Sequence, residues 1–291
     1  MTKRIAAMAA ALATLAGPGL AQDWYGAAEL SLERFTTDDD GVDEGASEQL
    51  NGQGFAGLTF SEDLYAEVDV VLSGVFSIDT PTQRGLRNGE VLVGRIGRDF
   101  GDYSIEGILG TLSVVSGNND APGLPSVGRT LGAVAGTYRI DDDLSAGVLI
   151  GRMDGDPLKD GPSGADAFSD LNHIVGHVDY KLNDDWVIVA SAAYGTATLD
   201  QDRDDGAVRY LALEAQYAVP KAGLTAFVGL SDTRFWQDDP DDLADDDDAS
   251  RISLFAGVRW TFGARGETRA RDRVPLPDYL TWMAVSDGTL E

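Results

Sequence analysis

About twelve segments of this chain alternate apolar and polar side chains, and the connections between them run short and long by turns. A period of two marks a strand whose faces meet unlike surroundings. Residues 251–262 show it plainly. Ile252, Leu254, Ala256, Val258, Trp260 and Phe262 share one face, and Ser253, Phe255, Gly257, Arg259 and Thr261 share the other. Residues 64–73 repeat the rhythm, with Leu64, Ala66, Val68, Val70 and Leu72 set against Tyr65, Glu67, Asp69, Val71 and Ser73. Near the start, Trp24, Ala28, Leu30 and Leu32 form the apolar face of the first strand.

The connections order these strands. Short turns fall at residues 61–63, 101–102, 141–143, 183–185 and 220–223; longer connections are expected at 37–49, 74–88, 114–128, 154–169, 199–206 and 237–250. A soluble β-sandwich also alternates, but it needs a second sheet to cover each apolar face. Here one apolar face recurs on every strand. Aromatic residues lie near strand ends on that face (Trp24, Trp186, Tyr194, Tyr217, Trp260 and Phe262), as interfacial girdles require. In lipid, only a closed barrel leaves no unpaired sheet edge. Beyond the N-terminus no apolar run reaches the ~18 residues of a helical span. The expected fold is all-β: an antiparallel transmembrane β-barrel of about twelve strands, with short periplasmic turns and long acidic extracellular loops.

Three units follow. Residues 1–21 read as a signal peptide, with Lys3 and Arg4 before a short Ala/Leu core and small residues before Gln22. Residues 22–262 would form the barrel, and 263–291 a periplasmic C-terminal tail. The formal charge of −27 excludes nucleic acid as a partner, and the absence of Cys excludes disulfides and thiolate chemistry.

Residues 93–107, VGRIGRDFGDYSIEG, are similar to a strand–turn–strand of Gram-negative porins. The Trp260-Thr261-Phe262 ending resembles the closing strand of an outer-membrane barrel, in which a terminal Phe is an assembly signal. In residue order the resemblance covers about 30 residues; beyond them it is one of architecture. It implies a porin-like channel in the cell outer membrane for passive diffusion of small hydrophilic solutes. Porins of that family generally have more strands, an acidic third-loop motif and a final Phe. This chain lacks Pro-Glu-Phe-Gly and runs 29 residues past Phe262.

In porins the third outer loop narrows the channel. By that resemblance residues 114–128 are expected to fold partly inward, with Val115, Asp120, Leu124 and Val127 as constriction residues. Strand parity points Glu29, Glu33, Glu67, Asp69, Arg95, Glu106, Arg139, Asp179, Lys181, Glu214 and Arg259 into the lumen. Such residues either line a conducting pore or fill a narrow one as salt bridges. Acidic loops around the mouth favour mild cation selectivity. The alternative is a non-conducting structural or adhesion barrel.

No metal site or cofactor is expected, because aligning Gly41 to the EF-hand glycine puts Thr36 and Ser47 where acids are required. His173 and His177 share a face but stand about 13 Å apart along their strand. Neither GxSxG nor HExxH occurs, so no enzyme is expected. Expected partners are outer-membrane lipid and lipopolysaccharide, and small solutes and ions; a homo-oligomer stays open. After the last strand, Arg265, Arg269, Arg271 and Arg273 make a basic patch. Pro275-Leu276-Pro277 then precedes Asp278, which could cap a short helix carrying Tyr279, Leu280, Trp282 and Met283. That stretch either frays, or docks into or across the periplasmic mouth or onto a partner.

Overall fold

The computed structural model describes residues 24–39, 42–61, 63–78, 86–116, 126–154, 168–199, 205–219, 223–238, 248–263, 265–279 and 282. Among them the chain forms twelve strands: β1 (Trp24–Asp39), β2 (Val42–Thr59), β3 (Leu64–Ile78), β4 (Leu86–Asp99), β5 (Tyr103–Ser116), β6 (Ser126–Arg139), β7 (Leu144–Asp154), β8 (Phe168–Lys181), β9 (Trp186–Leu199), β10 (Asp205–Val219), β11 (Leu224–Asp238) and β12 (Asp248–Phe262). Each pairs antiparallel with its neighbours in sequence. β12 pairs back onto β1, from Gly26 opposite Phe262 to Asp39 opposite Ala249, so the sheet closes.

Which way the side chains point decides between barrel and sandwich. On β1, Leu30 and Leu32 are 53% and 57% exposed, while Ser31 and Glu33 beside them are 8% and 7% exposed. On β12, Ile252 and Leu254 are exposed while Arg251 and Ser253 are buried. Two stacked sheets would bury those leucines against each other. A cylinder with its apolar face outward is instead suited to hydrocarbon.

Trp24, Tyr103, Tyr138, Tyr180, Trp186 and Trp260 are exposed at the end where the short turns lie. Trp186 packs on Tyr217 and Trp260 on Phe262, with ring centroids 5.0 and 5.4 Å apart. Tyr194 lies further along β9, 6.2 Å from the Trp236 ring.

The short turns are closed by their own side chains. Asp141 Oδ1 accepts the N–H groups of Asp143 and Leu144, both at 2.8 Å. Asn183 Oδ1 accepts those of Asp185 and Trp186 at 3.0 and 3.1 Å. These bonds mimic a backbone turn, which is why Asp and Asn recur at this end.

The strands run further than side-chain alternation indicated. The stretch 37–49, expected as a loop, pairs instead: β1 reaches Asp39, β2 begins at Val42, and Asp38 stands opposite Asp43. Ladder bonds are made by backbone, so they continue into polar sequence where no apolar face marks them. In the same way Val115 and Val127 lie in β5 and β6, where Val114 pairs Val127 and Val115 pairs Ser126, and are not loop residues. Asp120 and Leu124 lie outside the described residues, as do the proposed signal peptide and most of the acidic connections.

The chain does not leave the barrel after β12. Gly263 adopts φ +76°, and a side chain there would come within 2.1 Å of the Trp24 carbonyl oxygen. A short helix, α1 (Gly266–Asp272), follows, and the chain then runs extended through 274–278. The helix thus comes before the prolines. After them, Trp282 N–H bonds Asp278 O at 3.0 Å in a single further turn.

Candidate functional site

The barrel interior has two unlike walls. From β4 to β9 the inward positions are largely apolar, among them Val93, Ile108, Leu131, Leu149, Met153 and Val175. From β9 round to β2 the inward positions mix Phe227, Phe235 and Phe255 with Glu29, Gln49, Asn51, Gln53, Glu214 and Arg259. The C-terminal segment touches both: α1 rests on β1 and β12, with Ala270 against Tyr25, Ala27 and Phe55, and the stretch after it lies against the first wall. Its Val274, Tyr279 and Trp282 are at most 1% exposed and belong to the same apolar cluster.

Charge fixes its position. Arg265, Arg269 and Arg273 are spaced by four, so they share one face of a helix. Arg265 bonds Asp99 at 3.1 Å. Arg269 bonds Glu67 Oε1 at 2.7 Å and also reaches Glu106. Arg273 lies 2.6 Å from Asp69 Oδ1. Arg95 from the wall completes the cluster, bonding Asp69 at 2.6 Å, Glu106 at 2.9 Å and the Val274 carbonyl at 3.2 Å. Tyr25 and Tyr65 donate to Glu67 and Glu106, at 3.0 and 2.8 Å. Without the segment, the wall would set three buried carboxylates against one guanidinium; Arg269 and Arg273 supply the missing two charges. Arg139 adds a bond to Asp272 at 2.5 Å. Burial works against the Arg269 charge, but Glu67 and Glu106 hold its pKa well above the usual arginine value.

Further up, the Tyr279 hydroxyl is 2.9 Å from His173 Nε2, and burial raises the phenol pKa above its ordinary value. His177 Nε2 lies 2.5 Å from Asp179 Oδ2, which also accepts the Ser145 hydroxyl at 3.3 Å. The two histidines therefore serve different partners. Among the described residues no group of three His, Asp or Glu side chains is placed to hold a metal.

On the polar side a cavity of about 290 Å³ separates the segment from the wall. The wall residues are mutually bonded: Arg259 to Glu29 at 2.8 Å, Arg251 to Glu33 at 2.7 Å, Asn51 to Glu33 at 2.9 Å and Gln216 to Glu214 at 2.6 Å.

The residues that strand parity points inward divide by location. Glu67, Asp69, Arg95 and Glu106 are buried beneath the C-terminal segment, and Arg139 bonds its helix. Glu29, Glu214 and Arg259 border the cavity. Lys181 sits at the short-turn end, 3.0 Å from Asp184. The described residues 265–279 and 282 thus lie inside the barrel, where buried wall carboxylates bind their arginines.

No family model matches the chain, and no curated protein matches it in sequence. Solved structures do. An outer-membrane channel from Pseudomonas putida F1 is similar with a TM-score of 0.50 at 9% identity, covering 84% of this chain and 99% of that one. The fold is that of an outer-membrane barrel. The NanC porin (TM-score 0.49, 15% identity, 79% of this chain and 100% of that one) is also similar. So is the KdgM porin in complex with disordered oligogalacturonate (0.45, 13%, 80% and 99%). At these identities the likeness extends to the fold alone.

Proposed function

We propose that the protein is an outer-membrane channel for small hydrophilic solutes, narrowed by its own C-terminal segment and mildly selective for cations. The observation that carries this reading is the two-walled lumen. A barrel filled for stability alone would be packed on every side, whereas here a cavity lined by polar and apolar side chains remains between the occupant and the wall. Glu29, Gln53, Glu214, Gln216 and Arg259 offer carboxylates, amides and a guanidinium to a hydrated solute. Carboxylates outnumber guanidinium groups among Glu29, Glu33, Glu214, Arg251 and Arg259, and the Asp-rich connections add to that excess. In this reading the C-terminal segment narrows the lumen; residues 117–125, the middle of the stretch expected to do so, lie outside the described residues.

Purified protein in a planar bilayer tests this. Small ohmic steps with a cation-biased reversal potential are expected; steps with anion preference would remove the selectivity. A second reading, a non-conducting barrel, is favoured by the tight packing of Val274, Tyr279 and Trp282, and silence across the bilayer would establish it.

A further inference from the structure

We infer that the segment whose described residues are 265–279 and 282 is a releasable plug, which leaves the lumen through the short-turn end while β1–β12 stay closed. This rests on the channel reading only for its consequence, a wider path; the movement itself is independent of conduction. Three features of the molecule support it.

The barrel does not need the segment. Every strand is bonded on both sides by other strands, β1 to β12 included, and the segment contributes none. The segment is also incompletely packed. Its helix rests on β1 and β12, with Ala270 against Tyr25, Ala27 and Phe55, but a cavity of about 290 Å³ borders Arg271, Pro275, Leu276 and Pro277, so part of its surface meets no packed wall. Finally, much of the grip is ionic. A buried ion pair gains little over its separated, hydrated partners, since desolvation offsets the attraction. On release Arg269, Arg273, Glu67, Asp69 and Glu106 all regain water, so the ion pairs add little to the stability of the seated state, which rests chiefly on Val274, Tyr279 and Trp282. Gly263 stands between β12 and α1 as the pivot.

The chain has no cysteine, so an introduced one reports alone. Val274 and Leu149 are fully buried on facing sides of the plug contact. Full-length V274C and L149C, folded in detergent and checked by heat-modifiable gel migration, are treated with a membrane-impermeant maleimide. Both are expected to react, at matched rates. Adding R269Q/R273Q is expected to accelerate both at least about tenfold, as the loss of charged hydrogen bonds predicts. No reaction, or rates indifferent to the arginines, would overturn the proposal.

A lock separates it from the channel reading. A Cβ at Gly147 lies 2.6 Å from Val274 Cγ2, so G147C/V274C is placed to form a disulfide across the contact. Oxidised, it should show only the small conductance; reduced, it should also show larger steps. Identical traces would overturn the plug as the gate. Silence in both forms with labelling intact would leave the plug standing and overturn the channel.

Discussion

At the scale of single residues, Glu106 is the hinge of the charge balance. It bonds Arg95 from the wall, Arg269 from the plug and the Tyr65 hydroxyl, at 2% exposure. Removing one partner of a buried pair costs about 3–5 kcal/mol, about two to four powers of ten in the ratio of plugged to released states. Glu106→Gln should therefore favour release and leave the barrel folded. Trypsin added to the folded protein should cut after Arg269, Arg271 or Arg273 far faster in that variant than in the wild type. Glu267, on the exposed face of α1, is the control: Glu267→Gln should be cut like the wild type. Equal cutting in all three would mean that Glu106 does not hold the plug.

At the scale of elements, the register of β3 and β4 prepares the wall for its occupant. Tyr65 stands opposite Gly97, and a Cβ at Gly97 would fall 2.4 Å from the Tyr65 ring and hydroxyl. The ring lies in the space the glycine leaves and so brings its hydroxyl to Glu106. Tyr25 uses Gly57 in the same way to reach Glu67. Gly97→Ala must push Tyr65 aside, at about 1–3 kcal/mol. Gly52→Ala meets nothing within 4 Å and should change stability by less than ~0.5 kcal/mol. The urea midpoint for loss of the heat-modifiable form separates the two; equal midpoints would show that the ring shifts freely. These elements also mark what could be read in advance. Parity placed Glu67, Arg95 and Glu106 inside correctly, because a period of two survives any register. The plug had a signal too. Arg265, Arg269 and Arg273 fall four apart, and Val93, Ile108, Leu149 and Val175 share the parity of the charged lumen residues, an apolar interior that something must cover. What could not be read was the pairing of Arg269 with Glu106, 163 positions apart, which only the closed cylinder brings together. The far strand ends were hidden because their ladders run through acidic sequence.

At the scale of the whole molecule, the plug sets the charge of the path as well as its width. With the segment seated, Arg269 and Arg273 neutralise the β3–β5 carboxylates, and permeating ions meet chiefly the Glu29, Glu33 and Glu214 wall with its arginines. Once it leaves, Glu67, Asp69 and Glu106 face water with only Arg95 among them, a net negative patch inside a low-dielectric wall. Fields focus in such a channel, so a fixed excess of carboxylates enriches cations along its length. The larger conductance level should therefore be more cation-selective than the smaller one in the same molecule. Reversal potentials measured for each level across a KCl gradient give the comparison directly. Glu67→Gln combined with Glu106→Gln should keep the larger level but reduce its selectivity toward that of the smaller. Equal reversal potentials at the two levels would mean that the patch uncovered by the plug does not lie on the path ions take.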